Sequence, residues 1–550
     1  PAVPLLNRLI GRFRHLSVHP GALVFAEPSI DSYSALELAP KGVLVTQYDI
    51  HSLERMGIVK IDLLGNRALG AIQEIATCAD SGTPPVPHHD EATLEALRRA
   101  ETIGCFQIET PPVRAVLRKL PIHRVEDLRD ALAVVRPGPG SAEDKASFIR
   151  RAHGEEPPTP PHPRLAHVLR GSMGMLLYEE DVIRAISVIT GWTLERADQL
   201  RRELLHLDPN SAVHLQREFL AAATEDGVLP GEAKELWQLL LRFVSYTFNK
   251  AHASEYAHLA WEMAYLKTHR PLEFACAVLN HYGGHYPLRT LAADFTRHGA
   301  YFRAPHVNHS ADGCVLEDGA VRVGLGFVKH LTQVSRARIL ARRPFSNLRD
   351  LFERVPLGGR EKEALILCGA GDGLAPLDPD AYPYPHEQVL SALQRDPRAT
   401  LFEANAFCAA GAYAPTFAAL VRAHHEIKYL AMHVSDHPLH VLRKEAQREG
   451  CTPIANLTAG RRETIAALVA ASRRTPASAG RLMQFVTFED ETGLVEATLA
   501  PAAFLRLEDP IRNPGPYLVE GRGEEDHGQL QWFVSDVKPF FQRSRPYEDE

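Results

Sequence analysis

The sequence predicts a multidomain α/β protein that ends in a small β-barrel. Three observations carry that prediction. At 550 residues the chain exceeds the roughly 250–300 at which a single core stops growing. Long amphipathic helical segments dominate from Tyr178 to Leu279. From Thr464 onward, short alternating segments separated by turn residues take over, as in a closed β architecture. Composition is that of a globular chain, with 45% hydrophobic and 23% charged residues. A net charge of −7 neither announces nor forbids nucleic-acid binding, because local patches matter more than the sum. The chain shows no apolar run of bilayer length and no secretory signal. Cys78, Cys105, Cys276, Cys314, Cys368, Cys408 and Cys451 lie far apart without CxxC spacing. That excludes an obvious zinc site or disulfide framework and predicts a reducing cytoplasm with no membrane partner.

The elements follow in order. Residues 1–75 read as mixed α/β, with strands at Ala22–Phe25, Gly42–Gln47 and Val59–Leu64 and a helix at Ala68–Thr77. Proline density makes 81–87 a loop. Helical periodicity resumes at 91–100, 112–120 and 124–135, then stops at Arg136-Pro-Gly-Pro-Gly140, where proline and glycine alternate. Residues 154–164 form a proline-rich surface excursion. Amphipathic helices are predicted at 181–190, 194–205 and 255–267, strand-like pieces at 314–316 and 320–325, and short helices over 331–372. The weakly patterned stretch 373–425 reads as a linker with a helix or two. Strands at 465–469, 482–488, 494–499, 517–521 and 530–537 compose the barrel, with turns at 490–493 and 524–528.

Within this frame, Gly57-Ile-Val-Lys-Ile-Asp-Leu-Leu-Gly65 carries chemistry. Strand residues i and i+2 share a face, so Lys60 and Asp62 project together, a carboxylate beside a cation suited to metal and phosphate. A solvated strand face accounts for the pair equally simply. Further motifs follow in order: Thr102-Ile-Gly-Cys-Phe-Gln-Ile-Glu109, Val135-Arg-Pro-Gly-Pro139, Gly174-Met-Leu-Leu-Tyr-Glu-Glu-Asp-Val182, Ala197-Asp-Gln-Leu-Arg-Arg202 and Tyr246-Thr-Phe-Asn-Lys-Ala-His-Ala253. Together these six collinear motifs resemble the bacterial DNA polymerase III alpha subunit, the C family of DNA polymerases. His285-Tyr-Pro287 with Ala293-Asp-Phe-Thr-Arg-His298 resembles the error-prone branch, and Asn249-Lys250 the replicative one.

The resemblance implies a partial palm with thumb-like helices at 1–135, fingers at 136–325, a helix-hairpin-helix-like region at 326–372, a linker and helical connector at 373–460, and an OB-fold domain at 461–545. It implies template-directed addition of deoxynucleotides to a primer 3′ end with two Mg²⁺ ions, in replication or translesion repair synthesis. Asp62 is then the catalytic metal ligand, and Lys60 neutralises phosphate beside it. Arg136, Arg201, Arg202, Lys250 and His252 become nucleotide- or phosphate-binding candidates. Lys145, Arg150 and Arg151 would track the DNA backbone, and Phe485 and Phe488 would stack single-stranded bases. Each of these also reads as a surface ion pair, a fold-stabilising residue or, for the aromatics, barrel core. The implied partners are primer-template DNA, deoxynucleoside triphosphates, and a sliding clamp or other replication or damage-response subunits.

Departures from the family pattern are specific. The family's other two catalytic aspartates lie on an earlier strand, and no such acidic motif precedes Gly57. Asp378-Pro-Asp380 is misplaced, and its proline disqualifies a central strand. The glycine-serine triphosphate loop is also missing. The expectation is therefore the C-terminal portion of such a polymerase, with a catalytically incomplete fragment or split half that binds DNA as the alternative. Lys329-His-Leu-Thr-Gln333 lacks hairpin glycines and only Gly358-Gly359 and Gly369-Ala-Gly371 survive; duplex binding by that region is the expectation.

Overall fold

The protein is described by a computed structural model covering residues 8, 10–12, 17–19, 21–63, 65–78, 86–135, 141–205, 209–244, 248–374, 414–477, 481–507, 511 and 513–541. It divides into two compact units, Pro1–Arg67 and Ala68–Glu550.

In the first unit, β1 (Ala22–Phe25) pairs antiparallel with β4 (Val59–Asp62), matching Ala22 to Asp62 and Val24 to Lys60. A second ribbon joins β2 (Leu36–Leu38) to β3 (Leu44–Thr46), and β2 had no counterpart among the expected strands. The helix Ile50–Arg55 is started by Asp49, whose carboxylate accepts the Ser52 N–H at 2.9 Å. The apolar core among the described residues is thin, consisting of Ala39, Leu53 and Ile58. Leu23, Phe25, Val59 and Ile61, the alternate positions of β1 and β4, are exposed instead.

The second unit is helical around two cores. One gathers the helices Glu91–Arg98, Pro111–Lys119, Val125–Val134, Lys250–His269, Pro271–Asn280 and Leu288–Arg297, with Leu97, Leu117, Leu128, Leu266 and Phe295 inside. The helices after residue 90 thus share a core with residues beyond 250, and the division between units falls after Arg67. The other core gathers Glu179–Thr190, Leu194–Leu205, Pro209–Glu225 and Pro230–Val244 around Phe219 and Trp237. A small sheet of β5 (Phe302–Arg303), β7 (Ala320–Arg322) and β6 (Val315–Glu317) precedes the helices Gln333–Arg342, Leu348–Arg354 and Gly359–Leu367. Most of the expected linker, 375–413, lies outside the described residues; its end is the helix Ala414–Leu430.

The chain then forms a closed five-stranded barrel in the order β10-β12-β11-β8-β9. Its strands are β8 (Arg462–Pro476), β9 (Leu482–Glu489), β10 (Leu494–Leu499), β11 (Tyr517–Asp526) and β12 (Gln529–Pro539). All five expected strands are present, and β8 and β11 run well past their expected ends. Closure is parallel between β10 and β12, with Ala497 opposite Trp532. A helix, Pro501–Arg506, fills the connection where none was expected. The barrel is fastened to the helical body by charged groups. Buried Arg114 donates to Glu496 at 3.1 Å and to the Tyr286 hydroxyl at 3.3 Å, Arg118 donates to Gln529 at 3.0 Å, and Lys119 pairs with Asp526.

Candidate functional site

On β4 the i, i+2 geometry is realised. The Lys60 ammonium contacts both Asp62 oxygens, at 2.7 and 2.8 Å, on one face of the two-stranded sheet. The hydrogen bond from Lys60 holds the Asp62 carboxyl below its usual range, with His19 adding a weaker pull from 4.0 Å. Divalent magnesium takes about six oxygens and is bound through carboxylates. Asp62 supplies one carboxylate, both of whose oxygens face Lys60. No group of three acidic, histidine or cysteine side chains fit for a metal occurs among the described residues. These residues therefore do not make a magnesium site by themselves.

A second assembly lies in the helical unit, where the first turn of Glu179–Thr190 meets the start of Lys250–His269. The turn carries Glu179, Glu180 and Asp181, acids that complement the positive end of the helix. Asp181 is buried and accepts the Tyr178 N–H at 3.2 Å, while burial pushes its carboxyl upward. Glu180 accepts the Lys250 backbone N–H at 3.0 Å, and Glu179 accepts Arg201 at 3.5 Å. Asn249 caps the longer helix by accepting the His252 N–H at 2.9 Å. Phe248 bridges to Tyr178, tying the two helix starts together. Four rings then follow one another here: His252 lies 5.4 Å from Phe248 and 3.9 Å from Tyr256, and Tyr256 meets Phe106 edge-on at 5.1 Å.

The structure thus brings Arg201, Lys250 and His252 to one corner, together with Tyr178, Arg129 and Asp130, which the sequence reading had not singled out. Tyr178 is fully buried and donates its hydroxyl to Asp130 at 2.5 Å, with Arg129 donating to the same hydroxyl at 3.0 Å. Only long-range packing joins these three, so no local spacing announced them. Most of the candidate arginines already hold acids. Arg201 and Arg202 both pair with Asp198. Arg150 bridges Glu143 and Glu156, while Arg151 holds Glu156 at 2.9 Å and the Met173 carbonyl at 2.8 Å, a clasp on the proline-rich excursion. Lys145 has no ion pair among the described residues, and burial with nearby Lys119 lowers its pKa. Arg136 lies outside the described residues.

The two barrel aromatics separate cleanly. Phe485 is 43% exposed, whereas Phe488 is 0% exposed in the barrel core, so Phe488 has no face for a base and is a packing residue. Strand alternation puts them on opposite faces, and the closed barrel buries the inner one. The Phe485–Asp490 segment has a structural use as well. Asp490 accepts the N–H groups of Thr492, Gly493 and Ile454, fixing the turn into β10.

Residues 69–227 match the bacterial DNA polymerase III alpha subunit finger domain, residues 2–65 match its NTPase domain, and residues 299–377 match a helix-hairpin-helix motif. The last match begins ahead of the expected region, at the small β5–β7 sheet. These matches, with the relatives that follow, support a likeness to the bacterial DNA polymerase III alpha family. It is similar to the error-prone DNA polymerase of Symbiobacterium thermophilum, 31% identical over 96% of this chain and 54% of the relative. It is also similar to the error-prone DNA polymerase of Pseudomonas aeruginosa, 30% identical over 95% and 52%. The DNA polymerase III subunit alpha of Bacillus subtilis is 28% identical over 96% and 49%. These likenesses align the chain with the error-prone branch. The chain spans about half the length of the curated relatives it matches.

Proposed function

We propose that the chain works in DNA-directed DNA synthesis, adding deoxynucleotides to a primer 3′ end opposite a template in replication or translesion repair. The observation that carries this reading is the corner where adjacent Glu179 and Glu180 hold Arg201 and the Lys250 backbone, with His252 on the turn after Asn249, beside helices of the finger-domain match. There the Lys250 ammonium and the Arg201 guanidinium suit a triphosphate, and the His252–Tyr256 rings suit hydrogen bonding or stacking with a nucleotide or primer. The helix-hairpin-helix region would grip duplex phosphates. The barrel, read as an OB fold, would present Phe485 and exposed Arg473 opposite it to a single strand. The 1–67 unit is read as part of the palm, with Asp62 as a metal ligand, and magnesium as the metal that ligand would serve. A cytoplasmic setting suits the unpaired thiols, and no helix among the described residues is long and apolar enough to cross a membrane.

A second reading has its own support. With one carboxylate against Lys60, the chain would act as a DNA-binding module whose further acids come from elsewhere. Primer extension with Mg²⁺, run on the wild-type chain beside Asp62→Asn, separates the two. Extension that disappears in the variant is expected under the first reading. Retained primer-template binding without extension selects the second.

A further inference from the structure

We propose that Tyr178 is the positioning residue for Lys250, holding its ammonium by the face of the ring so that the full cationic charge is presented to a polyphosphate. This rests on the reading of Lys250 as a triphosphate contact. Arg201 and Arg202 are each held by Asp198, which cancels much of their charge. Lys250 is held differently. Its Nζ lies 5.3 Å from the centroid of the Tyr178 ring, and no carboxylate lies within 4.0 Å of it among the described residues. An aromatic face attracts an ammonium through its quadrupole without adding a negative charge or occupying the N–H groups as a carboxylate would. Lysine is a flexible four-carbon stem that loses substantial rotamer freedom when fixed. A ring already fixed by the fold lowers that cost before the anion arrives.

Tyr178 is fixed from three directions. Its hydroxyl donates to Asp130 at 2.5 Å and receives Arg129 at 3.0 Å. Its N–H donates to Asp181, and its backbone bridges to Phe248, two residues before Lys250. Asp130 is itself paired with Arg129 at 2.7 Å, so the acid beneath the ring does not compete for Lys250. Of the acids nearby, Glu180 is engaged by the Lys250 backbone N–H at 3.0 Å, and Asp181 accepts the backbone N–H groups of Leu177 and Tyr178.

The test uses the full 550-residue chain with two probes, dATP and inorganic tripolyphosphate, each with Mg²⁺, in calorimetric titrations. Tyr178→Leu removes the ring face and is expected to weaken both probes about tenfold, as loss of a part-desolvated cation–π contact would. Tyr178→Phe, which restores the ring without the hydroxyl, is expected to recover most of that affinity. Wild-type affinity in a folded Tyr178→Leu, with Lys250→Ala weakened, overturns the positioning role and leaves the reading of Lys250 intact. If Lys250→Ala binds both probes as the wild type does, the reading of Lys250 falls and the positioning role with it. Should Tyr178→Leu fail to fold, the wild-type chain still decides. With its lysines carrying ¹³C-methyl labels, the signal missing from Lys250→Arg should be ring-current shifted upfield, and an unshifted signal overturns the proposal.

Discussion

Asp62 lies on a strand with one hydrogen-bonded neighbour, and a single lysine holds its carboxylate. Lys250 opens a 20-residue helix and rests on a ring that a buried acid, an arginine and two backbone contacts hold in place. Both are candidate residues for handling phosphate or metal, yet the surrounding packing differs in kind. Among the described residues the strand unit buries only Ala39, Leu53 and Ile58 as apolar core, while the helical unit buries charge as well as hydrocarbon. A charge can be aimed with precision where its support is enclosed; where support is a two-stranded ribbon, the charge is set by whatever pairs with it.

The largest expected break in that contrast is at Lys267. It sits in the helical core with its Nζ 2.5 Å from Asp294 and 2.9 Å from the Ile103 carbonyl. Burial pushes the Asp294 carboxyl up, but Lys267, then Arg297 and His298, outweigh it and hold it at about 2. Lys267→Ala leaves that carboxylate enclosed without its partner and should cost about 3–5 kcal/mol in urea unfolding. The pH dependence has a definite sign. A carboxyl held below its usual value near 3.9 contributes fully above that value and loses its contribution as pH falls through about 2. The wild type should therefore lose stability on acidification across that window, and Lys267→Ala should lose less. An identical acid profile in the two would show that the pair is not what acid attacks.

Next in size is the pair of barrel aromatics. Phe488→Ala should cost about 3–5 kcal/mol, because its ring is enclosed among Val486, Val495 and Trp532 in the barrel core. Phe485→Ala should stay within about 0.5 kcal/mol and instead weaken binding of a short single-stranded oligonucleotide, read by fluorescence anisotropy. Equal stability losses in the two would mean the exposed face of β9 is packed in solution.

How far the sequence revealed these differences follows from what each depends on. Ala22–Phe25 and Leu194–Leu205 were legible to the residue, because period and punctuation are local. The barrel strands were legible for the same reason, although alternation alone did not say which of Phe485 and Phe488 faced inward. Arg201, Lys250 and His252 were found through motif order. Tyr178, Asp130 and Arg129 were not found as a group, because Tyr178 precedes one helix, Asp130 lies mid-way along another 48 residues earlier, and only the tertiary fold joins them. β2 and the helix Pro501–Arg506 are so short that neither period could show itself.

The smallest effect sharpens the comparison most, because it concerns Asp62 alone. Its carboxyl is held down first by the Lys60 hydrogen bond and then by the charges of Lys60 and His19, all at an exposed site. Exposed pairs are screened once the Debye length falls to about 3 Å at 1 M salt. A carboxyl-¹³C titration of the chain should therefore find Asp62 below the usual carboxylate value at low salt and closer to it at high salt. Lys60→Ala should return it toward that value at either salt concentration, with thermal stability nearly unchanged. A depressed value that survives Lys60→Ala would mean another cation approaches Asp62 in solution, and the strand site would then have more support than its ribbon provides.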